Sequence, residues 1–199
     1  MSGKVSPLTR LISIAAALTV LSCAGSGTRV YVNPAADMAF YKKIAVLPFS
    51  NMSTDGLAGQ RVTRAFITEL IMTDRYQIVQ PEEFRFALSK INGLPGPDGG
   101  YEMAKLKEAA TESGATGIVR GAVTEYQMQR SGGSDETPVI AFDVELIDVN
   151  TGDVAWRSSI TMRGRGRLPV IGGGGIKSMG SLTQKACQEL VDRLRREAL

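Results

Sequence analysis

The segment PVIAFDVELIDVNTGDVAWRSSITMR, residues 138–163, decides the fold. Its first half alternates: Ile140, Phe142, Val144 and Leu146 fall on one side, Asp143 and Glu145 on the other. This is the pattern of a strand with one face in a core and the other in water. The second half repeats it, with Trp156, Ile160 and Met162 on alternate positions. Between them, DVNTGD (148–153) supplies the Asp, Asn and Gly that tight turns require. Two strands joined by so short a turn pair antiparallel. On this reading Asp143 and Glu145 form a solvated strand face, not an acid–base pair or a cation site.

Upstream, TGIVRGAVTEYQMQR (116–130) is a third long strand candidate. Earlier still, the chain changes character. In KKIAVLPF (42–49), Ile44 to Leu47 is an unbroken apolar run bounded by lysines and Pro48, as in a buried strand. NMSTDG (51–56) is turn chemistry. The spacing of Val62, Phe66, Ile67, Leu70 and Ile71 then predicts a helix over 57–73. YQIVQ (76–80) is a short strand. Pro81 opens another helix, with Glu82 and Glu83 at the positive end of its dipole and Phe84, Leu88 and Ile91 on one face. NGLPGPDGG (92–100) is too rich in Gly and Pro for either element, and a third helix runs over 101–113 to a stop at Gly114.

Downstream, GRGRLPVIGGGG (164–175) links the hairpin to a closing helix over 176–199. Met179, Leu182, Ala186, Leu190 and Leu194 form its stripe, and Arg193, Arg195 and Arg196 suit its C-terminal end. The fold class is therefore α/β: a single mixed β-sheet of about five strands with helices packed on it, a parallel first half and an antiparallel C-terminal hairpin.

The N-terminus is a separate problem. Lys4 and Arg10 precede an apolar core, LISIAAALTVL (11–21), about half the length a membrane span needs. The core ends at Val20-Leu21-Ser22-Cys23, which resembles the bacterial lipobox. Cys23 is the candidate lipidation site. Its thiol would take a diacylglycerol and the new N-terminus a further acyl chain, and two or more chains give stable anchoring. Ala24, not Asp, follows the cysteine, which resembles the outer-membrane default. Three regions are expected: a lipoprotein signal peptide (1–22), a lipidated tether (23–41) and a periplasmic α/β domain (42–199).

Composition narrows the chemistry. The 199 residues carry a net charge of +3, and past residue 22 the chain is close to neutral, so nucleic acid is not an expected partner. Histidine is absent from the sequence, which removes the commonest general base and metal ligand. Cys23 and Cys187 are too far apart for a C-x-x-C motif, and Cys187 reads as a small buried hydrophobe. GGGGIKS (172–178) has Ile176 where a phosphate loop needs Gly, so it reads as a linker. Gly172, Gly173, Gly174 and Gly175 are the candidate partner-docking residues. No catalytic set, metal site or cofactor is implied.

With these segments in place, the order is familiar. KKIAVLPFSNMSTDGLAGQRVTRAFITELIMTDRYQIVQPEEF, then GATGIVRGAVTEYQ, then VELIDVNTGDVAWRSS resembles the periplasmic domain of CsgG-type secretion lipoproteins. It is similar also to LpoB-type activators of peptidoglycan synthases and to the TolB amino-terminal domain. The resemblance covers about residues 42–163 and the closing helix, and its motifs are fold markers. The hairpins that build the CsgG-type barrel have only short Gly-rich loops in their place, between Asn92 and Gly100 and between Arg130 and Pro138. The implied function is a non-enzymatic outer-membrane lipoprotein, lipid-anchored on the periplasmic face, that binds envelope proteins in assembly or secretion. A regulatory activator of a peptidoglycan synthase and a subunit of an oligomeric secretion pore are the alternatives. Partners would be the membrane, through the acyl chains, other envelope proteins and a second copy of the chain.

Overall fold

The computed structural model describes residues 27–96, 100–130, 136–164 and 175–198. Seven strands form one mixed sheet. They are β1 (Gly27–Val32), β2 (Lys43–Val46), β3 (Ser50–Asn51), β4 (Gln77–Val79), β5 (Gly117–Arg130), β6 (Glu136–Asp148) and β7 (Val154–Arg163). The order across the sheet is β1-β7-β6-β5-β2-β4, with β3 paired to β5 beyond the end of β2. β2 lies parallel to both β4 and β5, and β3 parallel to β5. The pairs β5–β6, β6–β7 and β1–β7 are antiparallel. The parallel first half and the antiparallel hairpin are thus as the sequence predicts. The larger strand count comes from the tiny β3 and from β1.

β1 is a correction. Residues 24–41 are expected as a tether, but Gly27–Val32 lies in full register along β7, from Gly27 opposite Thr161 to Val32 opposite Trp156. Met38 is buried in the core as well. Gly, Ser and Pro34 around GTRVYV hide a short run of β-formers that has a ready partner, the open edge of β7. The described fold therefore already includes Gly27–Val32, upstream of Lys42.

Among the described residues, four α-helices complete the fold: α1 (Ala58–Met72), α2 (Pro81–Lys90), α3 (Met103–Glu112) and α4 (Met179–Glu197). From β2 the chain crosses through α1 to β4, then returns through α2 and α3 to β5 on the other side of β2. Crossovers of one hand running in opposite directions put their helices on opposite faces. One face holds α1 and α4 over the main core, where Phe66, Leu70, Phe142, Leu146, Trp156, Ile160, Leu182 and Leu190 are all buried. Of the predicted α1 stripe, Ile71 is the exception: it is 52% exposed, just past the packed arc.

The opposite face is covered only in part. The cluster beneath α2 and α3 takes Ala45, Leu47, Val79, Ile118 and Ile147 from the sheet, with Phe84, Leu88 and Leu106 from the helices. It takes nothing from β7 or β1. The hairpin turn forms as expected: the Asp148 carboxylate accepts from the Asn150 and Thr151 amides, and Gly152 supplies the positive φ of 85°. Tyr41 donates to the same carboxylate at 2.8 Å, which ties the turn to the segment before β2.

Candidate functional site

Cross-strand register fixes which side chains share the half-covered face. Arg120 on β5 lies opposite Glu145 on β6, and Glu145 lies opposite Arg157 on β7. Asp143 follows two residues away on β6, on the same side. Tyr31 on β1 lies opposite Arg157 and extends the row to the sheet edge. Beyond the limit of α2 and α3, this face is therefore a charged, solvent-facing surface bordered by an exposed tyrosine.

The expectation of a solvated strand face at Asp143 and Glu145 is corrected here for Glu145. Glu145 is only 6% exposed. Arg120 Nε donates to Glu145 Oε1, and Arg157 Nη1 lies 3.6 Å from Glu145 Oε2. Arg157 Nη2 lies 3.6 Å from Asp143 Oδ1. Glu145 is thus clamped between two arginines on flanking strands. Asp143, half-buried, has its carboxyl raised above the usual range, chiefly by desolvation, with Arg157 opposing the shift. The period-two pattern places both acids correctly on the face away from the main core. It does not show that arginines stand in register beside them; aligning Arg157 with Glu145 across the DVNTGD turn is the signal that finds one of them.

A cavity of about 300 Å³ opens beside this network, walled by Leu47, Ser50, Tyr101, Gly121, Arg120 and Arg157. A larger open groove, about 740 Å³, lies between the N-terminal ends of α1 and α2, with Phe49, Leu57, Ile67, Arg64 and Arg85 among its walls. Both lie beyond the carboxyl end of β2, the position where open α/β sheets receive ligands. Among the described residues, no group of three or more His, Cys, Asp or Glu could hold a metal ion. Cys187 is buried, its Sγ 3.8 Å from the Val62 carbonyl, and burial pushes its thiol far up; it packs as a small hydrophobe, as predicted. Of the other candidate residues, Cys23 and Gly172 to Gly174 lie outside the described residues. Gly175 is half-buried ahead of α4.

Salt-linked charges on a rigid sheet, a shallow cavity and an exposed strand edge suit recognition of another macromolecule. The fold and this surface define an α/β domain with one sheet face partly open and charged. A family model described as peptidoglycan-synthase activator LpoB matches residues 24–161, and the chain belongs to the LpoB family. It is a non-enzymatic, protein-binding component of the cell envelope, in a family of non-catalytic synthase activators.

Solved structures share the fold. The PelC dodecamer from Paraburkholderia phytofirmans is 22% identical over 85% of this chain and 97% of its own, with a TM-score of 0.60. Lipoprotein GNA1162 from Neisseria meningitidis is 16% identical over 78% of this chain and 99% of its own, at 0.51. The hypothetical protein CT253 from Chlamydia trachomatis is 13% identical over 79% of this chain and 97% of its own, also at 0.51. A search of curated proteins finds no match.

Proposed function

We propose that this chain is acylated on Cys23, faces the periplasm from the outer membrane, and activates a peptidoglycan synthase by docking through the open half of its sheet. The family match carries the synthase as partner. The surface rests on the asymmetry of the sheet: α1 and α4 seal one face, while Arg120, Asp143, Arg157 and Tyr31 stand clear of α2 and α3 on the other. A preformed charge array of this kind favours orientation and specificity more than raw affinity. Activation then works by holding the synthase in its active conformation, with no chemistry on this chain.

The reading sets a geometric condition. Cys23 and Gly27 are four residues apart, so the domain sits close to its anchor and the synthase must reach out to it. The test is glycan polymerisation by a peptidoglycan synthase from the same cell, with and without the full chain. Addition should accelerate polymerisation, and Arg157→Glu should abolish the acceleration while leaving this chain folded. Acceleration unchanged by Arg157→Glu together with Arg120→Glu sinks the docking surface.

A second reading rests on β1. It is the end strand of the sheet, and Val30 and Tyr31 are exposed on it. Such an edge can pair with another chain, a second copy included. The PelC neighbour is a dodecamer. Light scattering of the full chain in detergent decides whether this chain self-associates. The docking role of Gly172 to Gly175 is kept as a proposal beside these, tested by deleting the four residues and assaying partner crosslinks.

A further inference from the structure

The groove between the N-terminal ends of α1 and α2 lies away from the charged row, yet it adjoins it. Pro48 walls both this groove and the smaller cavity beside Arg120 and Arg157. A partner resting on the row therefore reaches the groove by crossing one residue. At about 740 Å³ the groove falls within the roughly 300–1,000 Å³ that binding pockets occupy.

Its floor is fixed before anything binds. The Thr63 hydroxyl accepts from the Phe49 amide at 2.9 Å and donates to the Gly59 carbonyl at 2.7 Å, and both bonds are buried. A Cβ on Gly59 would collide with the Phe49 carbonyl oxygen, so the first turn of α1 lies directly against the segment that follows β2. Phe49 and Ile67 are buried in the floor, and Leu57, 53% exposed, stands at the rim.

Its charge is unmet. Arg64 on α1 and Arg85 on α2 wall the groove, and both are exposed. Among the described residues neither belongs to an ion pair, whereas Arg120 and Arg157 are tied to Glu145 and Arg61 is tied to Asp55. Glu82 is the one acid among the described walls. A guanidinium without a partner is built to take a carboxylate through two parallel N–H donors. Two of them above an apolar floor match a chain segment that carries acidic side chains next to an apolar one.

We infer that this groove is a second point of contact with the synthase, and that it seats an acidic segment bearing an apolar side chain, held by Arg64 and Arg85. The inference rests on docking of the synthase on the sheet face. The row from Arg120 to Tyr31 sets where the partner rests, and the groove sets how it is turned.

The test measures binding of the full chain to a purified peptidoglycan synthase from the same cell, in detergent. Arg64→Glu with Arg85→Glu should weaken binding about tenfold or more, and Arg64→Lys with Arg85→Lys about threefold or less. Both arginines are exposed and outside any ion pair among the described residues, so the urea midpoint should not move. Binding unchanged by the double Glu variant but still lowered by Arg157→Glu overturns the groove and leaves the sheet-face docking standing. Binding insensitive to all of these substitutions overturns both. A photocrosslinking residue at Leu57 identifies the occupant without altering either arginine. The expected product joins position 57 to a synthase segment that contains Asp or Glu. A product with a second copy of this chain, a product with a segment free of acids, or no product overturns the inference.

Discussion

Glu145 shows how much a single residue depends on its neighbours across the sheet. Buried and bonded to Arg120, with Arg157 beside it, it satisfies both cations at once. Glu145→Ala should cost about 1–3 kcal/mol, because it leaves two arginines without their shared partner. Urea denaturation checks this; a cost equal to that of Asp143→Ala contradicts the clamp. Asp143 behaves differently with pH. Its folded-state pKa is raised above the ordinary value, mainly by desolvation, so folding favours its neutral form. Its contribution to stability is present below the unfolded pKa and is lost as pH rises through the folded one. Asp143→Asn should therefore gain on the parent protein as pH climbs from about 4 towards neutrality. A relative loss over that range, in denaturation curves at successive pH values, reverses the sign. The alternation in VIAFDVEL told which way these side chains point, and Phe142, Val144 and Leu146 are buried as read. It could not tell that outward meant clamped, because the arginines come from other strands.

At the scale of elements, the β6–β7 hairpin, α1, α2 and α4 were legible because each carries its own period, and α3 because a Gly/Pro-rich loop precedes it and Gly114 stops it. β1 was not, since its six residues bury little and it exists by pairing with β7. Its amides should exchange faster with deuterium than those of β6, which lies between two full-length neighbours. Protection in β1 equal to that of β6 contradicts its place at the edge. Glycine placement in β5 carries a second consequence. A Cβ built on Gly121 falls 2.5 Å from the Asp143 carbonyl oxygen and 3.0 Å from the Phe49 ring. Gly121→Ala should destabilise by about 1–3 kcal/mol through overpacking, read as a lowered denaturation midpoint. An unchanged midpoint shows that β5 and β6 can separate at this point without cost. From sequence alone this glycine passes for one more break in an apolar strand; the close approach of the Asp143 carbonyl and the Phe49 ring explains it.

At the scale of the molecule, the two crossovers decide which part of the sheet is left open. They put helices on both faces near β2 but leave the second face of β7 and β1, and of β6 away from Ile147, bare of the α2–α3 cluster. The family match places the chain in the LpoB family, and the sheet supplies a charged area on which a partner can rest. What sequence could not supply was the coincidence of the Arg120–Glu145–Arg157 row with that bare area, because it depends on where α2 and α3 stop. The most direct measurement places a photocrosslinking residue at Tyr31 on the bare face or at the exposed Gln188 on α4, and irradiates the full chain in its native envelope. The account predicts a crosslink to a peptidoglycan synthase from position 31 and none from 188. Synthase crosslinks from 188 alone would contradict it.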